Sequence, residues 1–175
     1  MRGRCRPRDL ARTGLFAALV VICTWITVPL PSGVPLTLQT FAVALGGFLL
    51  GPVYGTLAAG VYLLLGAAGL PVFSGFTGGL GRFAGPTGGF LLGFLLLAAG
   101  CGLGRSRSLP LRFLPGLAGL LLCHMLGIWW YARTAGLAFP AAALSVSLPF
   151  LPKDIASLVF ALAFARLLEK RGVLR

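Results

Sequence analysis

The sequence predicts an all-α integral membrane protein, a single membrane domain over residues 1–175 with six transmembrane helices and Gly/Pro-rich outer loops. Hydropathy is the first reason. The chain is 58% hydrophobic and 10% charged, with a mean hydropathy of +0.96, which leaves too little polar surface for a water-soluble domain. Glycine is the second: 26 glycines are too many for a soluble helical protein, whereas glycine is frequent in transmembrane helices. The third is the placement of Lys and Arg, which falls almost wholly on one side of a six-helix arrangement. The net charge of +12 therefore reads as topology in a lipid bilayer. Nucleic acid is not an expected partner, because so apolar a chain has no aqueous surface for its footprint.

A helix that spans a bilayer takes roughly 17–25 apolar residues. Residues 10–28 qualify and follow "MRGRCRPRD". This order resembles a signal peptide, but the apolar run is long, no A-x-A-like site follows and more hydrophobic segments come after it. It is read as a retained first helix. Residues 38–68 are apolar but interrupted by "LLGPVYG", where Pro52 lacks a donor and the flanking glycines permit a turn. They split into helices at 38–50 and 52–68. Residues 86–104, opened by Pro86, then 113–132 and 152–170, complete the set. Segment 38–50 is short for a crossing, so five spans is the competing count. With six, Arg2, Arg4, Arg6, Arg8, Arg12, Arg105, Arg107, Arg112, Arg166, Lys170, Arg171 and Arg175 share one side, against Arg82, Arg133 and Lys153. The positive-inside rule then expects both termini in the cytoplasm. Five spans would separate the termini and spoil the asymmetry.

Three outer segments remain, 28–39, 69–88 and 132–152, all long, Gly/Pro-rich and still apolar. They and their edges hold Gln39, Thr77, Arg82, Thr87, Lys153 and Asp154. Asp154 is the only carboxylate away from the chain ends, since Asp9 and Glu169 lie among the terminal basic residues. Ionisable groups at membrane depth are costly and usually line a site or pathway. A plainer account makes Asp154 a dipole partner in the first turn of its helix, with Pro152 at the first helical position and Lys153 snorkelling outward. Arg82 has its own plain account as an interfacial anchor. Taken together with Gln39, the three charges suit the few polar contacts of an otherwise apolar pocket.

Other readings are weaker. "SGFTGGLGRFAGPTGG" contains G-G-x-G but no Lys-Ser/Thr and no preceding strand, so it reads as a glycine-built re-entrant loop and not a phosphate loop. His124, the only histidine, is expected to be a satisfied packing group, since no second metal ligand lies near it on its helix. Ser74, Ser145 or Ser147 with His124 as base would suggest a hydrolase, but there is no G-x-S-x-G and no catalytic residue is expected. Cys5, Cys23, Cys101 and Cys123 have no C-x-x-C spacing, so neither a metal site nor a disulfide framework is expected. Trp25, Trp129, Trp130 and Tyr131 fit interfacial belts, and Tyr131 also suits the border of the pocket. In the first helix Gly14 and Ala18 form a small-xxx-small pair, with Ala11 and Ala17 nearby. Such a patch serves either packing within the chain or docking to another membrane subunit.

"VPLTLQT", "YLLLGAAGLPVFSGFTGG", "GPTGGFLLGF" and "LPFLPKD", in this order, closely resemble the BioY family, the substrate-capture (S) subunits of energy-coupling-factor biotin transporters. The resemblance covers about residues 13–168. It implies a six-helix subunit in a prokaryotic plasma membrane that captures biotin from outside, with a transmembrane coupling subunit and two ATP-hydrolysing subunits as partners. It implies no cofactor of the chain's own, and no Walker motif is present. It places Gly14, Ala18 and Ala11 toward the coupling subunit. Substrate-binding residues are then expected at Asp154, Arg82, Lys153, Gln39, Thr87, Thr77, Phe76, Ser157 and Tyr131. A carboxylate such as Asp154 can accept from ureido N–H groups, and Arg82 or Lys153 can pair with a carboxylate tail. The sequence departs from the family pattern P-F-x-P-x-D-x-x-K at Ser157, where a lysine is expected. Lys153 is either a relocated equivalent or an outward anchor.

Overall fold

A computed structural model describes residues 6–104 and 108–172; Arg2, Arg4, Cys5, Arg105, Arg107 and Arg175 lie outside them. Helix α1 (Pro7–Trp25) opens on Pro7 and buries Thr13, Phe16, Ala17, Val20, Cys23 and Thr24, the three-to-four spacing of one helical face. It ends earlier than residue 28 because Thr27–Val28 (β1) pairs antiparallel with Leu36–Thr37 (β2) in a small hairpin.

Helix α2 (Gln39–Ala67) is broken at Gly51, whose φ of 84° and ψ of 179° belong to a region essentially closed to residues with a side chain. The chain reverses there. Gln39 Nε2 reaches back to Tyr62 Oη at 2.7 Å, and a methyl group on Gly55 would lie 2.7 Å from Gly47 Cα. The result is two antiparallel arms, 39–50 and 52–67, as "LLGPVYG" predicts.

Pro52 has no N–H, so the carbonyl four residues before it, that of Phe48, loses its helical donor. Arg112 supplies one from Nη2 at 3.2 Å. The same guanidinium grips Glu169 through two bonds, 2.8 and 3.0 Å, the forked geometry that suits arginine to a carboxylate. This corrects the expectation that Arg112 lies in a basic loop. Helix α5 (Leu109–Ala135) starts before it, with Pro110 in the first turn, and buries Arg112 against the break in α2.

A four-residue helical turn, α3 (Gly81–Ala84), precedes α4 (Gly88–Leu103). Helix α4 packs against α5 and α2. Gly89, Gly93 and Gly100 mark one stripe of α4, and methyl groups there would come within 2.6 Å of Leu126 O, 2.8 Å of Cys123 Cα and 2.5 Å of Pro115 O. Backbones this close require glycine, which accounts for part of its abundance.

The outer segment 132–152, expected to be irregular, carries α6 (Phe139–Val146). It packs on α5 through a cluster that includes Ile128, Tyr131, Ala142 and Val146. Helix α7 (Leu151–Lys170) follows, bent 55° from α6.

By length and hydropathy α2 and α5 could each cross a membrane, as could α6 and α7 counted as one bent span. Because α2 doubles back, its arms are about 18 and 24 Å long at 1.5 Å per residue. Helix α1, the two arms of α2, α4, α5 and α7 are the six longest helical segments of the bundle. One end gathers Arg12, Arg112, Arg166 and Lys170 near the α2 break; the other brings together the hairpin, Arg82 and Lys153.

Candidate ligand-binding site

At this second end, α2, α4, α5, α6, α7 and the loops enclose a partly open cavity. Its apolar wall includes Phe73, Phe90, Phe94, Leu120, Val146 and Phe150. The loop after α2 supplies Phe73, whose ring stacks edge-on to Tyr62 at 5.5 Å and Phe83 at 5.7 Å.

Asp154, in the first turn of α7 after Pro152, is buried in that wall. Its carboxylate reaches beyond its own helix. Oδ1 accepts from Thr40 Oγ1 at 2.6 Å and pairs with Lys153 Nζ, while Oδ2 lies 3.2 Å from His124 Nε2. A buried carboxylate is tolerated only with such partners. A carboxylate offers about four acceptor positions, so these three leave room for a ligand donor. Lys153 turns inward, also donating to Thr37 O at 2.9 Å, and not outward as the snorkelling alternative has it. Gln39 is fixed at both ends of its amide, accepting from Thr37 Oγ1 at 2.9 Å and donating to Tyr62 Oη.

Arg82, on α3, donates from Nε to Thr77 Oγ1 at 2.8 Å and from Nη2 to Ser74 O at 3.3 Å. Only some of its five N–H groups are used this way. It lines the cavity and also a groove shared with Pro29, Leu30 and Gly33.

Of the residues singled out from sequence, Asp154, Lys153, Arg82, Gln39 and Thr87 come together in one wall. Thr77 stands behind Arg82. Phe76 is 64% exposed and stacks on Trp25 with ring centres 5.0 Å apart, so it faces away from the cavity wall. Tyr131 donates to Ser32 O at 3.2 Å and braces the loop that carries Val34. Ser157 is buried one turn beyond Asp154 but is not part of the wall.

Sequence reasoning missed Thr40, Tyr62 and His124. His124 is a satisfied buried group, as expected, with Nε2 facing Asp154 and Nδ1 2.8 Å from Ser147 Oγ, but it also lines the cavity. The rule that flagged Asp154, an ionisable group at membrane depth, applied equally to His124. Ser147, His124 and Asp154 form a chain like that of a hydrolase, but Ser147 is absent from the cavity wall, so its hydroxyl meets no ligand there. Among the described residues no group of three His, Cys, Asp or Glu is arranged for a metal.

The outward face of α1 carries Ala11, Gly14 and Ala18, all exposed, and a methyl group on Gly14 would meet nothing within 4 Å. Ala17, grouped with them in the sequence, points into the core at 2% exposure.

Comparison with known proteins agrees with this architecture. Residues 1–172 match the BioY family. The chain is 42% identical over 174 residues to the biotin transporter BioY of Thermotoga maritima, covering 96% of this chain and 99% of that protein. It is 39% identical over 164 residues to the probable biotin transporter BioY of Pyrococcus horikoshii, covering 94% and 98%. Its structure is similar to the crystal structure of the S-component for biotin from an ECF-type ABC transporter, with a TM-score of 0.86, 26% identity and coverage of 97% and 95%. A helical bundle with membrane-length apolar helices and these relatives together make the chain, a multi-pass membrane protein, a member of the BioY family.

Proposed function

We propose that the chain is the biotin-capturing S subunit of an energy-coupling-factor transporter. It sits in the plasma membrane of a prokaryote with both termini in the cytoplasm. The observation that carries this reading is the buried Asp154, partly satisfied by protein donors, in the wall of an apolar cavity. The bicyclic body of biotin suits the aromatic lining, and its ureido N–H groups suit the remaining acceptor capacity of Asp154. Lys153 pairs with Asp154, and Arg82 takes the carboxylate tail. Gln39 and Thr87 complete the polar contacts.

Release inward needs partners: a transmembrane coupling subunit that meets Ala11, Gly14 and Ala18, and ATP-hydrolysing subunits, since no Walker motif occurs in the chain. The test is equilibrium binding of radiolabelled biotin to the purified full chain. Saturable binding of one biotin per chain is expected. If biotin fails to bind while another vitamin does, the fold serves a different ligand; if neither binds, the capture reading is lost.

A further inference from the structure

His124 lies about two turns before Tyr131 on α5 and is 4% exposed. A residue there only to pack would be better served by leucine, which has no polar atoms to satisfy. Both ring nitrogens are instead engaged, Nε2 with Asp154 Oδ2 at 3.2 Å and Nδ1 with Ser147 Oγ at 2.8 Å. The neutral imidazole meets both contacts in one tautomer, with Nε2–H donating to the carboxylate and Nδ1 accepting from the serine hydroxyl. The ring stands edge-on to Phe90, 5.8 Å between centres and 88° between planes, and both side chains line the cavity. Ser147 belongs to the turn between α6 and α7, and its carbonyl accepts from Phe150 and Leu151 N–H as α7 begins.

We propose that His124 is a positioning residue for ligand capture: it holds the Asp154 carboxylate in its cavity-facing orientation and ties it, through Ser147, to the α6–α7 turn. Oδ1 already has Thr40 and Lys153, whereas His124 is the protein donor facing Oδ2. Without it only Oδ1 is held, so Oδ2 can swing about the broad terminal torsion, and the ligand must then order it on binding. This rests on the biotin reading of the cavity. It adds to that reading a residue that lines the cavity yet engages both ring nitrogens with protein, and so acts through Asp154.

The experiment is calorimetric titration of biotin into the detergent-solubilised full chain. His124→Leu is expected to weaken binding by about tenfold or more, the loss of one charge-assisted hydrogen bond. His124→Gln places an amide N–H near the Nε2 position and is expected to recover most of the loss. In an Asp154→Asn background, His124→Leu is expected to add little, because the two residues act as one unit. If His124→Leu does not fold, His124→Gln is compared with His124→Asn, whose shorter amide reaches toward Ser147 but falls short of Asp154. Glutamine is expected to bind biotin about tenfold more tightly than asparagine, and equal affinities overturn the proposal. A loss from His124→Leu that persists undiminished in the Asp154→Asn background overturns it alone. Failure of the unmodified chain to bind biotin overturns the functional reading as well.

Discussion

Asp154 draws donors from α2, α5 and its own helix, so its charge is stabilised by residues up to 114 positions away in sequence. Asp154→Asn keeps the shape and removes the charge. It is expected to weaken biotin binding by about 1.5–3 kcal/mol, the value of a hydrogen bond to a charged group, as measured by calorimetry. A carboxylate that only served the helix dipole would leave affinity unchanged and lower thermal stability slightly. Lys153 poses a second question, because the family pattern puts its lysine at the position of Ser157. Positions 153 and 157 are four apart and share a helical face, and Lys153 turns toward Asp154, its Nζ bonded to Thr37 O. Lys153→Ala is therefore expected to lose biotin affinity, and adding Ser157→Lys to restore most of it; an unchanged affinity in the single variant would make Lys153 a structural tie between α7 and β2. Asp154 was legible in the sequence because it is a lone carboxylate in an apolar run. Thr40 was not, because its partner is chosen by helix packing, which no local spacing encodes; His124 carries the same signal as Asp154, an ionisable group at membrane depth, but not the identity of its partner.

At the scale of elements, the six helical segments were legible from hydropathy and from Gly and Pro punctuation, and the reversal at Gly51 followed from "LLGPVYG". The consequence of that reversal was hidden. Pro52 orphans Phe48 O, and the donor comes from Arg112 on another helix, itself held by Glu169. A sequence reading that counts Arg112 only as a topology charge cannot see this. Arg112→Met keeps much of the apolar stem but leaves Phe48 O without its donor and frees Glu169, so stability is expected to fall by about 1–3 kcal/mol, the cost of a buried polar group left unpaired. A thermal melt of the purified chain checks it, and an unchanged midpoint would mean water replaces the guanidinium at the break. Helix α6 was missed for a different reason. Its eight residues, "FPAAALSV", are too short for periodicity to separate helix from a Pro-rich apolar loop, and contact with α5 decides the matter.

The whole molecule has two unlike ends, one basic and closed by Arg112 and Glu169, the other apolar and opened into the cavity. If the basic end faces the cytoplasm as proposed, single cysteines at Ser32 and Thr134 are expected to react with an impermeant thiol reagent in intact cells, and one at Ser106 to stay unlabelled. Labelling at Ser106 would reverse the proposed orientation. In the proposed transporter, the energy for release comes from partner subunits, and the outward face of α1 is the surface suited to receive one. Its inward face is packed by Phe16, Ala17 and Val20, while Ala11, Gly14 and Ala18 leave a shallow strip on the outer face between larger exposed side chains such as Leu15 and Ile22. Small residues let a second helix approach closely, and dispersion at close range is the main attraction available between helices in lipid. Gly14→Leu fills that strip without touching the fold, since nothing lies within 4 Å of the added Cβ. Biotin affinity and the thermal midpoint are expected to stay as they were, while co-purification with the coupling subunit and ATP-dependent uptake are lost. Should the variant still co-purify and transport, the partner must seat elsewhere on the bundle. Should biotin affinity fall instead, α1 would belong to the capture machinery and not to the coupling of that machinery to ATP.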